Sequence, residues 1–144
     1  MVVDYAHTPD ALQSVLRAAR EIAGPDSAVV VMFGCGGDRD RAKRPEMGAV
    51  ATAGADVVVL TTDNPRSEDP EGIIAEVLTG CDDSVVVEPD RRTAIALALE
   101  GRAEGDVVVL AGKGHETVQE YADRVEEFDD RVVATELLSG SDRR

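Results

Sequence analysis

Four short apolar runs set the limits on what this chain can become. They fall at 28–33, 57–60, 85–87 and 107–110, and each is rich in valine. Each is continuous rather than alternating and is bounded by polar residues. A strand exposed on one face alternates, whereas a strand covered on both faces reads as an unbroken apolar run. Between the runs lie segments of helical period. In the first, Leu12, Val15, Leu16, Ala19 and Ile22 recur at i, i+3, i+4 and i+7, the spacing of one helix face. Thr8 is placed to cap it, Pro9 suits its first turn, and Gly24-Pro25 ends it. A second, Ala-rich segment covers about 45 to 53. A third begins after Asp69 and presents Ile73, Ile74, Val77 and Leu78. A fourth follows Asp90 and presents Ala94, Ile95, Ala98 and Leu99.

Strands alternating with helices predict an α/β fold: a mostly parallel sheet of about six strands between two helical layers, joined by right-handed crossovers. The tail differs. Residues 118–121 and 124–128 predict a short hairpin around Ala122-Asp123. A last helix over about 130 to 138 should pack back on the sheet, with 139–144 frayed. The chain reads as one domain over 1–144. The sequence Asp-Val-Val-Val-Leu occurs twice, at 56–60 and 106–110, which predicts similar surroundings for two central strands.

Composition narrows the function. With 29 acidic and 15 basic side chains the formal charge is -14, the wrong sign for a nucleic-acid binder. Four aromatics are too few for a base-stacking platform. Cys35 and Cys81 make neither a disulfide framework nor, with two histidines, a structural metal site. No apolar run approaches the ~18–20 residues of a membrane helix, and no leader pattern opens the chain, so a cytoplasmic location is expected.

Three polar loops follow three of the strands: 34–40, 61–66 and 111–116. In an open parallel sheet the carboxyl ends of all strands share one edge, and ligands bind there. These loops should therefore converge. Neither phosphate motif fits them. Gly34 and Gly36 match the dinucleotide fingerprint, but Arg39 stands where its third glycine belongs. Gly112-Lys113 is followed by Gly114, and Val107 holds the place of a P-loop's first glycine. What remains suits a small zwitterion. Arg39 and Arg66 can fork onto carboxylates, Glu116 and Asp63 can accept from an ammonium, Asn64 can do either, and the Gly112 backbone admits close approach. Each residue taken alone also has an inert reading as a solvated loop residue or a simple turn.

The motifs Asp4-Tyr5-Ala6-His7-Thr8-Pro9-Asp10, Gly34-Cys35-Gly36-Gly37-Asp38-Arg39-Asp40, Lys43-Arg44-Pro45, Asp63-Asn64-Pro65-Arg66 and Gly112-Lys113-Gly114-His115-Glu116 closely resemble the C-terminal domain of the Mur ligase family, in its diaminopimelate-adding branch. The resemblance runs from about Val3 to Leu138. It implies a three-layer, Rossmann-like domain excised from a three-domain enzyme, with Met1 an artificial start. It implies an ATP-dependent reaction that adds meso-2,6-diaminopimelate to UDP-MurNAc-L-Ala-D-Glu through an acyl phosphate. ATP and Mg2+ would be held mainly by a central domain this chain lacks, so the fragment alone should be inactive and contribute no catalytic residue or metal ligand. By the same resemblance Arg39, Asn64, Arg66, Gly112 and Glu116 bind diaminopimelate, and Asp63 and Pro65 complete the recognition turn. Asp4 looks like a ribose-binding acid, with His7 and Lys43 as nucleotide-side contacts. A buried Arg66 deprived of the ligand's distal carboxylate would cost on the order of 2–5 kcal/mol, which would exclude lysine. The alternatives are a Mur-type domain with another substrate, a stand-alone amino-acid-binding module, and a structural α/β domain with inert loops.

Overall fold

The structure, a computed structural model, describes residues 1–142. Its main sheet has five parallel strands: β1 (Val2–Asp4), β2 (Val29–Phe33), β3 (Val57–Leu60), β4 (Val86–Val87) and β5 (Val107–Ala111), in the order β1-β5-β2-β3-β4. Five helices accompany it: α1 (Pro9–Ile22), α2 (Lys43–Gly54), α3 (Pro70–Leu78), α4 (Arg91–Leu99) and α5 (Asp130–Asp142). Two further strands, β6 (Val118–Glu120) and β7 (Val125–Glu127), form a separate antiparallel hairpin. The expected sheet of about six strands is thus five strands plus a detached pair.

The unbroken apolar runs have the predicted cause. In β2, Val29, Val31 and Phe33 enter one core with Leu12, Leu16, Met47, Ala51, Ile74 and Val77 from α1, α2 and α3. Val30 and Met32 enter the other, with Ala94, Ile95 and Ala98 of α4 and Val133 and Ala134 of α5. Both faces of β2 are covered, so no position in it can be polar. The repeated pentapeptide is also explained. Strands β3 and β5 flank β2 on its two sides. The aspartate that opens each repeat serves the start of β2: Asp56 accepts from the Val29 amide at 2.8 Å, and Asp106 from the Ala28 amide at 2.8 Å.

Capping follows the sequence. Thr8 accepts from the Ala11 amide, Asp69 from Glu71 and Asp90 from Thr93. Some expectations need correction. Strand β4 lies at the sheet edge, and Val86 and Val87 are exposed rather than covered on both faces. Ile22 ends α1 beyond the core and is 70% exposed. Strand β1 carries only two valines at the start of the chain, too short a run to register as a strand. Helix α5 continues through Asp142, past the 139 boundary expected for fraying; residues 143 and 144 lie outside the described residues.

Topology places a crevice. Helices α2 and α3 carry the chain from β2 through β3 to β4 on one face, and α4 returns it to β5 on the other. Strands β2 and β5 are neighbours whose following loops diverge, which is where ligands bind in open α/β sheets.

Candidate functional site

A cleft of about 380 Å³ opens at this edge. Arg39, Asp63, Asn64, Arg66, Gly112 and Glu116 line it, and so do His7 and Lys43. Residues from three loops separated by up to about half the chain therefore share one cavity, as the strand order predicts. Two expected residues do not line it. Asp4 accepts from the Ala6 amide at 2.8 Å through its carboxylate and from the Gly112 amide at 3.0 Å through its carbonyl, holding the turn behind the cleft. Pro65 supports the loop above it, and its carbonyl accepts from the Glu68 amide.

The loops touch backbone to backbone. The Gly37 amide donates to the Asn64 carbonyl at 2.7 Å. A Cβ at Gly37 would lie 1.8 Å from the Pro65 carbonyl oxygen, so no other residue fits without displacing the loop. Gly112 adopts φ +110, which favours glycine, and sits against the Asp63 carboxylate. Two residues with side chains are held in the left-handed region: Asp38 at φ 55 and Arg66 at φ 52. Such conformations persist where surroundings enforce them, and they cluster at functional turns. At Asp38 the carboxylate accepts from the Ser67 amide and hydroxyl.

Arg66 is the centre of the second loop. Its Nε donates to Glu120 Oε2 at 3.1 Å and its Nη1 to the Gly37 carbonyl at 2.9 Å. Its Nη2 has no partner among the described residues. The side chain is 23% exposed and already paired, so it is not the sealed charge expected from sequence. A lysine ligand would leave it facing Glu120 and some solvent, and the discrimination it supplies falls below the fully buried case. Asn64 accepts from the Glu120 amide at 3.0 Å through Oδ1. Arg39 is exposed and donates to its neighbour's carbonyl. The Glu116 side chain lines the cleft without a protein hydrogen bond among the described residues.

Beneath the cleft lies a buried polar layer that sequence reasoning did not find. Arg91 and Asp130 are fully buried and paired through two bonds of 2.8 and 2.7 Å. Arg91 also donates to the carbonyls of Thr62 and Ala111, the residues just before Asp63 and Gly112. Gln119 donates to the Thr62 and Asp63 carbonyls, and Lys113 to that of Val118. Burial pushes the Asp63 carboxyl above the ordinary carboxylate range, against the pull of Arg91 and Lys113. Its Oδ1 has no hydrogen-bond partner among the described residues. Burial pushes the Lys113 ammonium down, with Arg91 adding to the effect.

On the opposite side Arg44, 1% exposed, bonds Glu68 at 2.6 Å, Glu76 at 2.5 Å and the Gly36 carbonyl. Hydrogen bonds from Arg44 hold the Glu68 carboxyl down at about 2, and Glu68 in turn accepts from the Asp38 amide. One signal for both arginines was available. Arg44, Met47, Gly48 and Ala51, and likewise Arg91, Ala94, Ile95 and Ala98, follow i, i+3, i+4, i+7 spacing, so each arginine falls on its helix's buried face. Cys35 also lines the cleft. Its burial, with Asp63 nearby, pushes the thiol up to about 12.

Comparisons with known proteins agree with one another. The model of the family described as "Mur ligase, glutamate ligase domain" matches residues 1–114. A protein of Solibacter usitatus named UDP-N-acetylmuramoyl-L-alanyl-D-glutamate–2,6-diaminopimelate ligase is 55% identical over 143 residues, covering 97% of this chain and 28% of that protein. One of the same name from Chromobacterium violaceum is 51% identical, covering 100% of this chain and 29% of its own. A solved structure titled as the same ligase superposes with a TM-score of 0.90 at 46% identity, over 96% of this chain and 29% of that one. The chain thus spans less than a third of the length of each of these three ligases.

Proposed function

The chain belongs to the Mur ligase family, and from that premise we propose that it is the amino-acid-binding domain of an ATP-dependent ligase that joins meso-2,6-diaminopimelate to UDP-MurNAc-L-Ala-D-Glu. The observation that carries this reading is the single cleft shared by Arg39, Asn64, Arg66, Gly112 and Glu116. Two guanidinium groups, an amide and a carboxylate around one small cavity match an amino acid whose far end bears both a carboxylate and an ammonium. Arg66 takes the distal carboxylate through its unpartnered Nη2, Glu116 takes the distal ammonium, and Asn64 bridges them.

In this reading the domain's work is positioning. The ligase first phosphorylates the D-glutamate γ-carboxylate. The domain then presents the amine of diaminopimelate to the acyl phosphate in a fixed orientation, replacing a bimolecular encounter. On the nucleotide side His7 and Lys43 stand at the same rim; a lysine side chain with no hydrogen-bond partner among the described residues suits a phosphate. Asp4 would reach a ribose only by giving up its Ala6 bond. Among the described residues no group of three or more His, Cys, Asp and Glu side chains could hold a metal ion. In this reading Mg2+ would be held, with ATP, mainly by domains outside this chain, and no step here runs through it. No helix among the described residues is long and apolar enough to cross a membrane.

Titration calorimetry of the chain with meso-diaminopimelate and with L-lysine tests the reading. The expected result is binding of diaminopimelate in preference to lysine. Equal affinities, or lysine bound more tightly, would contradict it. Turnover of ATP by the chain alone would contradict the assignment of catalysis to other domains.

A further inference from the structure

The recognition turn is splinted by one short strand. Along β6, Gln119 Nε2 donates to the Thr62 carbonyl at 3.3 Å and the Asp63 carbonyl at 2.7 Å. The Glu120 amide donates to Asn64 Oδ1 at 3.0 Å. The Glu120 carbonyl accepts from the Arg66 amide at 3.0 Å. The Glu120 carboxylate accepts from Arg66 Nε at 3.1 Å. Every residue of the turn except Pro65 is thus bonded to β6. Only one of these bonds is a side-chain pair on the arginine that would read the ligand.

We propose that Glu120 is a specificity-determining positioning residue: by engaging Arg66 Nε while the Gly37 carbonyl engages Nη1, it orients the guanidinium so that Nη2 is presented to a carboxylate in the cleft. A guanidinium has five donors in a rigid plane. Fixing two of its nitrogens fixes the direction of the third. The backbone alone does not do this, because Arg66 φ 52 sets only where its side chain starts. Glu120 is 44% exposed in its side chain, so its removal opens no cavity, and its bonds to Asn64 and the Arg66 amide are made by backbone atoms that survive substitution.

The proposal rests on the functional reading above, and the test separates the two. In the free chain, the Arg66 Nε–Hε resonance should be resolved and slow to exchange in the wild type and in Glu120→Gln, which keeps an acceptor oxygen. It should be averaged and fast-exchanging in Glu120→Ala. Calorimetry should then show diaminopimelate affinity retained in Glu120→Gln and reduced about fivefold in Glu120→Ala, the scale of one partly exposed ion pair. Lysine affinity should be the same in all three. A merely structural role would weaken both ligands alike. Glu120→Ala binding diaminopimelate as well as or better than wild type would overturn the proposal, because Glu120 would then be competing for Arg66. A wild type that binds neither amino acid would overturn the functional reading and the ligand half of this proposal, while the Nε–Hε comparison still decides whether Glu120 holds Arg66.

Discussion

Arg66 is where chemistry and strain meet. It occupies a backbone conformation that side chains avoid, and two acceptors hold its guanidinium at the edge of a cavity. In the full-length ligase that the proposed function implies, Arg66→Ala should raise the diaminopimelate KM by about tenfold to a hundredfold, the range for a lost charged hydrogen bond. The ATP KM should move little, and steady-state kinetics with each substrate varied in turn checks this. Cys35 behaves in the opposite way. It lies between glycines in the same cleft, and burial pushes its thiol up to about 12. The reactive thiolate is correspondingly scarce near neutral pH. Native chain treated with iodoacetamide should stay unmodified at Cys35 by peptide mass spectrometry, and urea-unfolded chain should label fully.

The strands and helices were legible because their period and composition are local. The four valine-rich runs, the Thr8 cap, the helix that follows Asp90 and the hairpin around Ala122-Asp123 all appear where the sequence puts them. Convergence of the three loops was legible as well, since parallel topology dictates it. What holds the loops was not. Arg44 and Arg91 contact carboxylates 24 to 39 residues away, and nothing local pairs an arginine with a distant acid. Their helical spacing with alanine and methionine marked them as buried, but a charged residue on an apolar face is easily read as solvent-facing. The two struts should respond differently to perturbation. Asp130→Asn or Arg91→Met leaves a charge buried without its partner and should cost about 3–5 kcal/mol in urea unfolding. The Arg44 brace titrates. Glu68 falls from an ordinary 4.5 to about 2 on folding, so the folded state favours its charged form. That stability is present above about pH 4.5 and is lost as pH falls through about 2. The melting temperature of wild type should therefore drop across that window, and Glu68→Gln should show a shallower drop.

At the scale of the molecule, two apolar cores hold a parallel sheet whose carboxyl edge carries almost all the unusual chemistry: buried charges, two left-handed side-chain residues and a cavity. The opposite edge carries none of the loops that line the cleft. Such segregation fits a scaffold that positions a small ligand, and it fits a chain that supplies one part of a larger catalyst. The net charge of -14 is tolerable for a zwitterionic ligand, which the field neither attracts nor repels strongly. The most direct test is an amide-detected NMR titration of isotope-labelled chain with meso-diaminopimelate. Shifts concentrated together in 34–40, 63–66 and 112–116 would bear the account out, with those at Arg66 absent when L-lysine is added instead. Shifts confined to one loop or to another surface, or identical maps for the two amino acids, would contradict it.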